Sequence, residues 1–195
     1  MSFIYRSPFF YQGLMRFLYG KDYEERYAAI AELIPEGASV VDICCGDCFI
    51  YEHWLKAKQI QYLGLDQSPA FEKYAQKKGI PFRCVTISSG GEIPPADYVL
   101  MMASLYQFIP RQEAFVESLL HRARRGLILC EPVSNLARSS NPFLRTAARC
   151  LTHPAVERFE ADSLLALFKK FGVARWFKIG TGREIVGFFE KPENR

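Results

Sequence analysis

Residues 42-DICCGDC-48 gather two aspartates, three cysteines and a glycine into seven positions. Val40-Val41-Asp42-Ile43 ahead of them is a short strand-like run, and Phe49–Ala57 behind them has a helical pattern. The turn therefore sits where a strand feeds a helix. Backbone N–H groups at such a helix start lack partners and carry partial positive charge, which suits a nucleotide-like ligand. The same residues support a second chemistry. Cys45-Gly46-Asp47-Cys48 is a Cys-x-x-C at a helix start, where a redox dithiol gains from a lowered thiolate pKa. Asp66 helps to decide between them. It closes Leu63-Gly64-Leu65-Asp66, 20 residues beyond Gly46, the spacing at which a carboxylate reaches the hydroxyls of a ribose lying across the turn. A lone aspartate after a strand is more often a helix cap, and Ser68 opens a helix just beyond. The turn and the spacing together favour the ribose role. A metal site would need these thiols to converge with others, but Cys84 falls inside a strand pattern and Cys130 at a strand end, with no second paired motif.

These residues need a scaffold, and the rest of the chain supplies its pattern. Apolar runs bounded by turn residues lie at Ser39–Ile43, Ile60–Leu65, Pro81–Ile87, Tyr98–Met102 and Gly126–Cys130. Helical patterns separate them: Phe49–Ala57, Ser68–Lys78 with a serine cap and a terminal Gly79, and Pro110–Arg124. Alternation of this kind predicts a doubly wound, mostly parallel α/β sheet with helices on both faces. Ahead of it, 22-DYEERYAAIAELI-34 reads as a helix with Asp22 and Glu25 as a capping box. The end of the chain breaks the rhythm. After a helix near Asp162–Phe171, strands Val173–Ile179 and Arg183–Glu190 are separated by Gly180-Thr181-Gly182 alone. So short a link predicts an antiparallel hairpin, giving seven strands with one reversed.

At 195 residues the chain is expected to form a single domain, residues 1–195. A net charge of +4 gives no ground for a nucleic-acid partner. No apolar run is long enough to insert stably in a membrane, and no secretory leader pattern is present. A cytoplasmic location with reduced cysteines is the expectation. Composition and pattern leave the oligomeric state unknown.

Here the chain resembles the class I S-adenosylmethionine-dependent methyltransferases, from about Asp22 to Glu190. Asp42 matches the acidic position of their first motif and Gly46 its central glycine. Asp66 matches the acid that holds the ribose. Asp97-Tyr98-Val99-Leu100-Met101-Met102 matches the fourth strand and Cys130-Glu131-Pro132 the end of the fifth. The resemblance implies S-adenosyl-L-methionine as cofactor, with Asp42, Cys44, Cys45, Gly46, Asp66, Gln67, Ser88, Met101 and Met102 as its binding residues. It implies Tyr106, Gln107 and Glu131 as catalytic candidates facing a small-molecule acceptor. Cys44 and Cys48 depart from the family, which usually has glycine there for φ > 0 and close backbone approach. Ser88 stands where an acid often contacts the adenine amine.

Three rivals accompany this reading. The first is a thiol redox protein using Cys45 and Cys48. The second is a nicotinamide dinucleotide fold, which would need glycine at 44 and 49. The third is a methyltransferase-like binding protein without turnover. On the acceptor side, residues 132–158 form a basic insertion in which Arg138, Arg145, Arg149 and Arg158 face one acid, Glu157. Asn141-Pro142 marks a helix start there, and Asn135 and His153 are further candidates. Residues 1–36 comprise an aromatic lid and a helix. Phe3, Tyr5, Phe9, Phe10, Tyr11, Phe17 and Tyr19 are expected to be buried over the ligand edge. Lid and insertion together suggest an amphipathic or anionic acceptor. His53 and His121 read as packing or surface residues.

Overall fold

The computed structural model describes residues 8–20, 22–88, 92–133 and 157–191, with the side chains of 8–11, 18 and 19 excepted. Two helices, α1 (Pro8–Tyr19) and α2 (Asp22–Glu32), lead into β1 (Ser39–Ile43). β2 (Gln61–Asp66), α3 (Pro69–Lys78), β3 (Phe82–Cys84), β4 (Ala96–Met102), α4 (Gln112–Arg122) and β5 (Ala123–Pro132) follow. Then come α5 (Ala161–Lys170), β6 (Arg175–Ile179) and β7 (Glu184–Glu190). Among the described residues the seven strands form one sheet of order β3-β2-β1-β4-β5-β7-β6. β7 runs antiparallel to both β5 and β6, and the other described pairings are parallel. The reversed strand predicted from the short hairpin link is β7.

Both faces of the sheet are covered, as continuous apolar strands require. Successive side chains alternate between two clusters. Val40, Tyr62, Leu100, Ile128 and Val186 pack on one side with Tyr23, Tyr27, Ile30 and Phe49. Val41, Ile43, Leu65, Val99, Leu127 and Leu129 pack on the other with Phe115, Leu119, Leu164 and Phe168.

Several elements differ from the pattern reading for physical reasons. The helix expected over Phe49–Ala57 is a π-helical turn, Tyr51–Leu55, followed by a 3₁₀ turn, Lys56–Lys58. The wider turn collects bulky rings on one side: Phe49 lies 4.2 Å from His53 and 5.5 Å from Trp54, and Tyr27 of α2 packs on both Phe49 and Trp54. β3 is short because β2 offers it only Gly64, Leu65 and Asp66 as partners. Ala123 leaves the predicted helix and pairs with Ala96 across a register shift. Asp22 and Glu25 act beyond their own helix. Asp22 accepts from the Thr181 N–H and hydroxyl (3.3 and 2.6 Å), and Glu25 from the Gly180 N–H (3.3 Å), so both acids grip the β6–β7 turn. α2 is also tied to β7 by a buried ion pair, Arg26–Glu184, at 3.1 Å.

Candidate functional site

The turn after β1 holds three left-handed residues in five: Cys44 (φ 55), Gly46 (φ 56) and Cys48 (φ 57). Glycine adopts this conformation without strain, whereas a Cβ costs roughly 1–3 kcal/mol. The cysteines at 44 and 48 thus keep a glycine backbone while adding a side chain. Cys48 turns its thiol inward and is fully buried. Its Sγ lies 3.6 Å from that of Cys45, and both thiols occupy the space above Gly64 of β2. A Cβ at position 64 would stand 2.7 Å from Cys45 Sγ and 3.1 Å from Cys48 Sγ, so glycine is required opposite the pair.

The expected advantage of a dithiol at a helix start is absent. Burial pushes the Cys45 thiol well above its usual range, with the neighbouring Cys48, Asp42 and Asp66 adding to the effect. The Cys44 thiol is raised as well, by burial and by Asp66 and Asp42. A thiolate nucleophile is disfavoured in this environment. Among the described residues no cluster of three His, Cys, Asp or Glu side chains is arranged to hold a metal ion.

Carboxylates dominate the turn's surroundings instead. Asp42 on β1 is buried, and Oδ2 accepts a hydrogen bond from the Tyr62 hydroxyl at 2.9 Å. Burial raises its pKa to about 7 against that bond. Asp47 is raised to about 6, again by burial, with hydrogen bonds from Gln12 of α1 and the Phe49 amide opposing. Asp66 closes β2 and braces the turn. Its Oδ2 accepts from the Gly46 N–H at 3.1 Å and its Oδ1 from the Ser68 N–H at 2.9 Å. Asp66 therefore joins the two loops on which a ribose would rest, and its pKa is raised by burial. A carboxylate has about four lone-pair sites, so acceptor capacity remains. This set suits a ligand bearing hydroxyls and positive charge.

The loop after β4 is held from β5. Glu131 is fully buried, and its Oε1 accepts from the Ser104 and Leu105 N–H groups, each at 2.7 Å. Its Oε2 is buried with no hydrogen-bond partner among the described residues. Burial lifts its pKa to about 7, against the Leu105 and Ser104 amides. These bonds fix the 3₁₀ turn Leu105–Phe108, in which Leu105 is buried and Phe108 stacks on Phe115 at 3.6 Å. Tyr106 is left half-buried and Gln107 exposed. The Arg158 guanidinium lies 4.0 Å over the Tyr106 ring.

The structure thus brings Asp42, Cys44, Cys45, Gly46, Asp66, Tyr106 and Glu131 to the carboxyl edge of β1, β2, β4 and β5. Other candidates are placed differently. Met101 is wholly buried in the α4-side core, so its side chain packs rather than lines the edge, while Met102 is half-buried on the other face. Gln67 is exposed beside Asp66, and the Ser88 hydroxyl bonds Glu92 at 3.0 Å. His53 packs among rings and His121 is exposed. Asn135, Arg138, the Asn141-Pro142 start, Arg145, Arg149 and His153 lie outside the described residues, as do Phe3 and Tyr5. Phe17 is 63% exposed, so the expected burial of every N-terminal aromatic does not hold.

Pattern reading passed over Tyr62, Arg26, Gln12 and Ser104. Their roles depend on contacts between distant segments, and no local motif marks them. A shallow cavity of about 380 Å³ lined by Ser39, Gln61, Pro81 and Ala96 lies at the opposite, amino end of the strands, away from these groups.

Known proteins complete the picture. Residues 24–130, more than half of the chain, match a family model described as methionine biosynthesis protein MetW. No curated protein matches by sequence. Among solved structures, magnesium protoporphyrin IX methyltransferase from Synechocystis PCC 6803 with bound SAH superposes with a TM-score of 0.66 at 15% identity, covering 92% of this chain and 93% of that one. The putative methyltransferase in a complex with the Haloferax volcanii Trm112 activator gives 0.68 at 15% identity, covering 92% and 94%. The [4+2]-cyclase SpnF gives 0.62 at 18% identity, covering 83% and 61%. At these identities the likeness shows the fold, which is that of the class I methyltransferases.

Proposed function

The chain belongs to the family of methionine biosynthesis protein MetW, and we propose that it is an S-adenosyl-L-methionine-dependent methyltransferase acting on a small amphipathic or anionic acceptor. The observation that carries this reading is the bond from the Gly46 N–H to Asp66 Oδ2. It sets Asp66, the carboxylate that would take the ribose, against a turn of left-handed residues. When bound, the cofactor supplies a methyl group already activated by a positive sulfur.

The chain's own residues would then bind and position. Asp66 takes the ribose hydroxyls, and the turn 44–47 lies along the ligand. Asp42 and Asp47 give the cleft the negative character that suits a cation. Glu131 acts as a positioning residue: it clamps the Ser104 and Leu105 amides and so aims Tyr106 at the acceptor. Positioning and exclusion of water are the main demands of an in-line displacement. α1 serves as a lid, with Gln12 reaching Asp47 in the turn and Tyr74 on α3.

A binding protein without turnover is the second reading. It is favoured by the strained, side-chain-bearing Cys44 in the turn, since fold does not fix chemistry. Calorimetric titration with S-adenosylhomocysteine tests the site against the thiol reading. The Cys45→Ser, Cys48→Ser double variant is expected to bind within about threefold of the wild type, as packing residues allow. Loss of binding together with loss of a reversible redox activity would transfer the site to the dithiol.

A further inference from the structure

We propose that Arg158, stacked on Tyr106, reads a carboxylate on the acceptor, so that the molecule methylated is a small carboxylic acid; this rests on the methyl-transfer reading above. In the order β3-β2-β1-β4-β5, the crevice opens between β1 and β4, where the chain crossovers diverge. Asp66 ends β2, so a ligand whose ribose it holds presents its other end toward β4. The groups beyond that end, over β4 and β5, are Tyr106, Glu131 and Arg158.

Arg158 is built into this place. Its neighbour Phe159 is buried in the core cluster that also contains Leu105 and Phe115, which anchors the segment beside the Leu105–Phe108 turn. The guanidinium lies 4.0 Å over the Tyr106 ring. The guanidinium also hydrogen-bonds the Tyr106 hydroxyl, and with five N–H donors on a planar fork it retains donors of the kind that grip a planar carboxylate with two bonds. Its charge is felt within the site, where it opposes the effect of burial on both Tyr106 and Glu131. Among the described residues it forms no salt bridge, whereas the buried Arg26 is committed to Glu184. The Arg158 charge acts on Glu131, but the two form no ion pair: Glu131 Oε1 accepts from two amides, and its Oε2 has no hydrogen-bond partner among the described residues. A monoanion matches the single guanidinium, whereas a dianionic phosphate would leave its second charge uncompensated.

The test uses the full chain saturated with S-adenosylhomocysteine, titrated by calorimetry with phenylacetate and octanoate, and with 2-phenylethanol as the uncharged counterpart of the first. The wild type should bind both acids, and phenylacetate at least about tenfold more tightly than the alcohol, the range of a charge-assisted bond. Arg158→Gln should erase that preference without altering affinity for S-adenosylhomocysteine. Arg158→Lys, which keeps the charge but loses the planar fork, should retain part of it. The proposal is overturned if the loaded wild type binds neither acid, or if Arg158→Gln keeps the preference. It is also overturned if Arg158→Gln loses S-adenosylhomocysteine, which would assign the guanidinium to the cofactor's own carboxylate. Failure of the wild type to bind S-adenosylhomocysteine at all would instead remove the underlying reading.

Discussion

The two halves of the carboxyl edge are built in different ways. The β1–β2 half is nearly local: one turn of five residues and one carboxylate 20 positions on, joined by the Gly46–Asp66 bond. Its demands fall on backbone conformation, and left-handed φ values and a required glycine meet them. The β4–β5 half is assembled from a distance. Glu131 reaches back 27 and 26 residues to the Ser104 and Leu105 amides, and Arg158 arrives from beyond the segment 134–156. The first half resembles a fixed cradle of the kind a shared cofactor would use. The second depends on side-chain contacts that can change without disturbing the sheet, as acceptor specificity requires.

The comparison can be broken most forcefully at Glu131. If it is the clamp of the second half, Glu131→Ala strands two buried amides and should cost about 2–4 kcal/mol in urea unfolding. Glu131→Gln, which keeps an acceptor oxygen, should cost much less. The same residue carries a pH signature. Burial holds its folded pKa at about 7, above the ordinary 4.5, so the unfolded chain releases this proton first as pH rises. The stability it contributes is therefore full below about pH 4.5, falls as pH climbs and is lost above about 7. Glu131→Gln should flatten that slope, leaving the share due to the other carboxyls that burial raises, Asp42 to about 7, Asp47 to about 6, and Asp66 and Glu184. An unchanged slope would remove Glu131 as its source.

A smaller effect tests the first half. Gly64→Ala places a methyl group against the Cys45 and Cys48 thiols and should destabilise by about 1–3 kcal/mol. Adding Cys45→Ala should recover most of this loss in a double-mutant cycle. Simple additivity would show that the thiols do not fill that space. The smallest expected effect concerns the lid. Hydrogen exchange across α1 should slow when S-adenosylhomocysteine is added, because Gln12 hydrogen-bonds Asp47 in the turn after β1. Equal exchange with and without the ligand would leave α1 as ordinary packing.

How legible each half was follows from the same contrast. β1 was placed at Ser39–Ile43 residue for residue, because an apolar run between Gly37 and the turn leaves no other register. The reversed strand followed from a three-residue link. Asp22 and Glu25 instead hold the β6–β7 turn, and a capping box and a grip on a distant hairpin look identical in one dimension. The π-helical turn at Tyr51–Leu55 depends on rings from α2 packing against it, a tertiary cause that periodicity does not carry. The family resemblance implies Tyr106 and Glu131. What Glu131 does there emerged only from its two amide bonds, and the stack of Arg158 on Tyr106 only from the returning segment.

The central claim is that Asp66 and the turn after β1 form the cofactor cradle. Calorimetric titration of S-adenosylhomocysteine into the wild type and Asp66→Asn tests it most directly, because asparagine removes the charge offered to the ribose while its one carbonyl oxygen still accepts from one of the two loop amides. Saturable one-to-one binding to the wild type is predicted, with affinity weaker by about 1.5–3 kcal/mol in the variant and a smaller loss of about 1 kcal/mol in unfolding from the surrendered amide bond. Equal affinity in the two proteins, or no binding to the wild type, would contradict it.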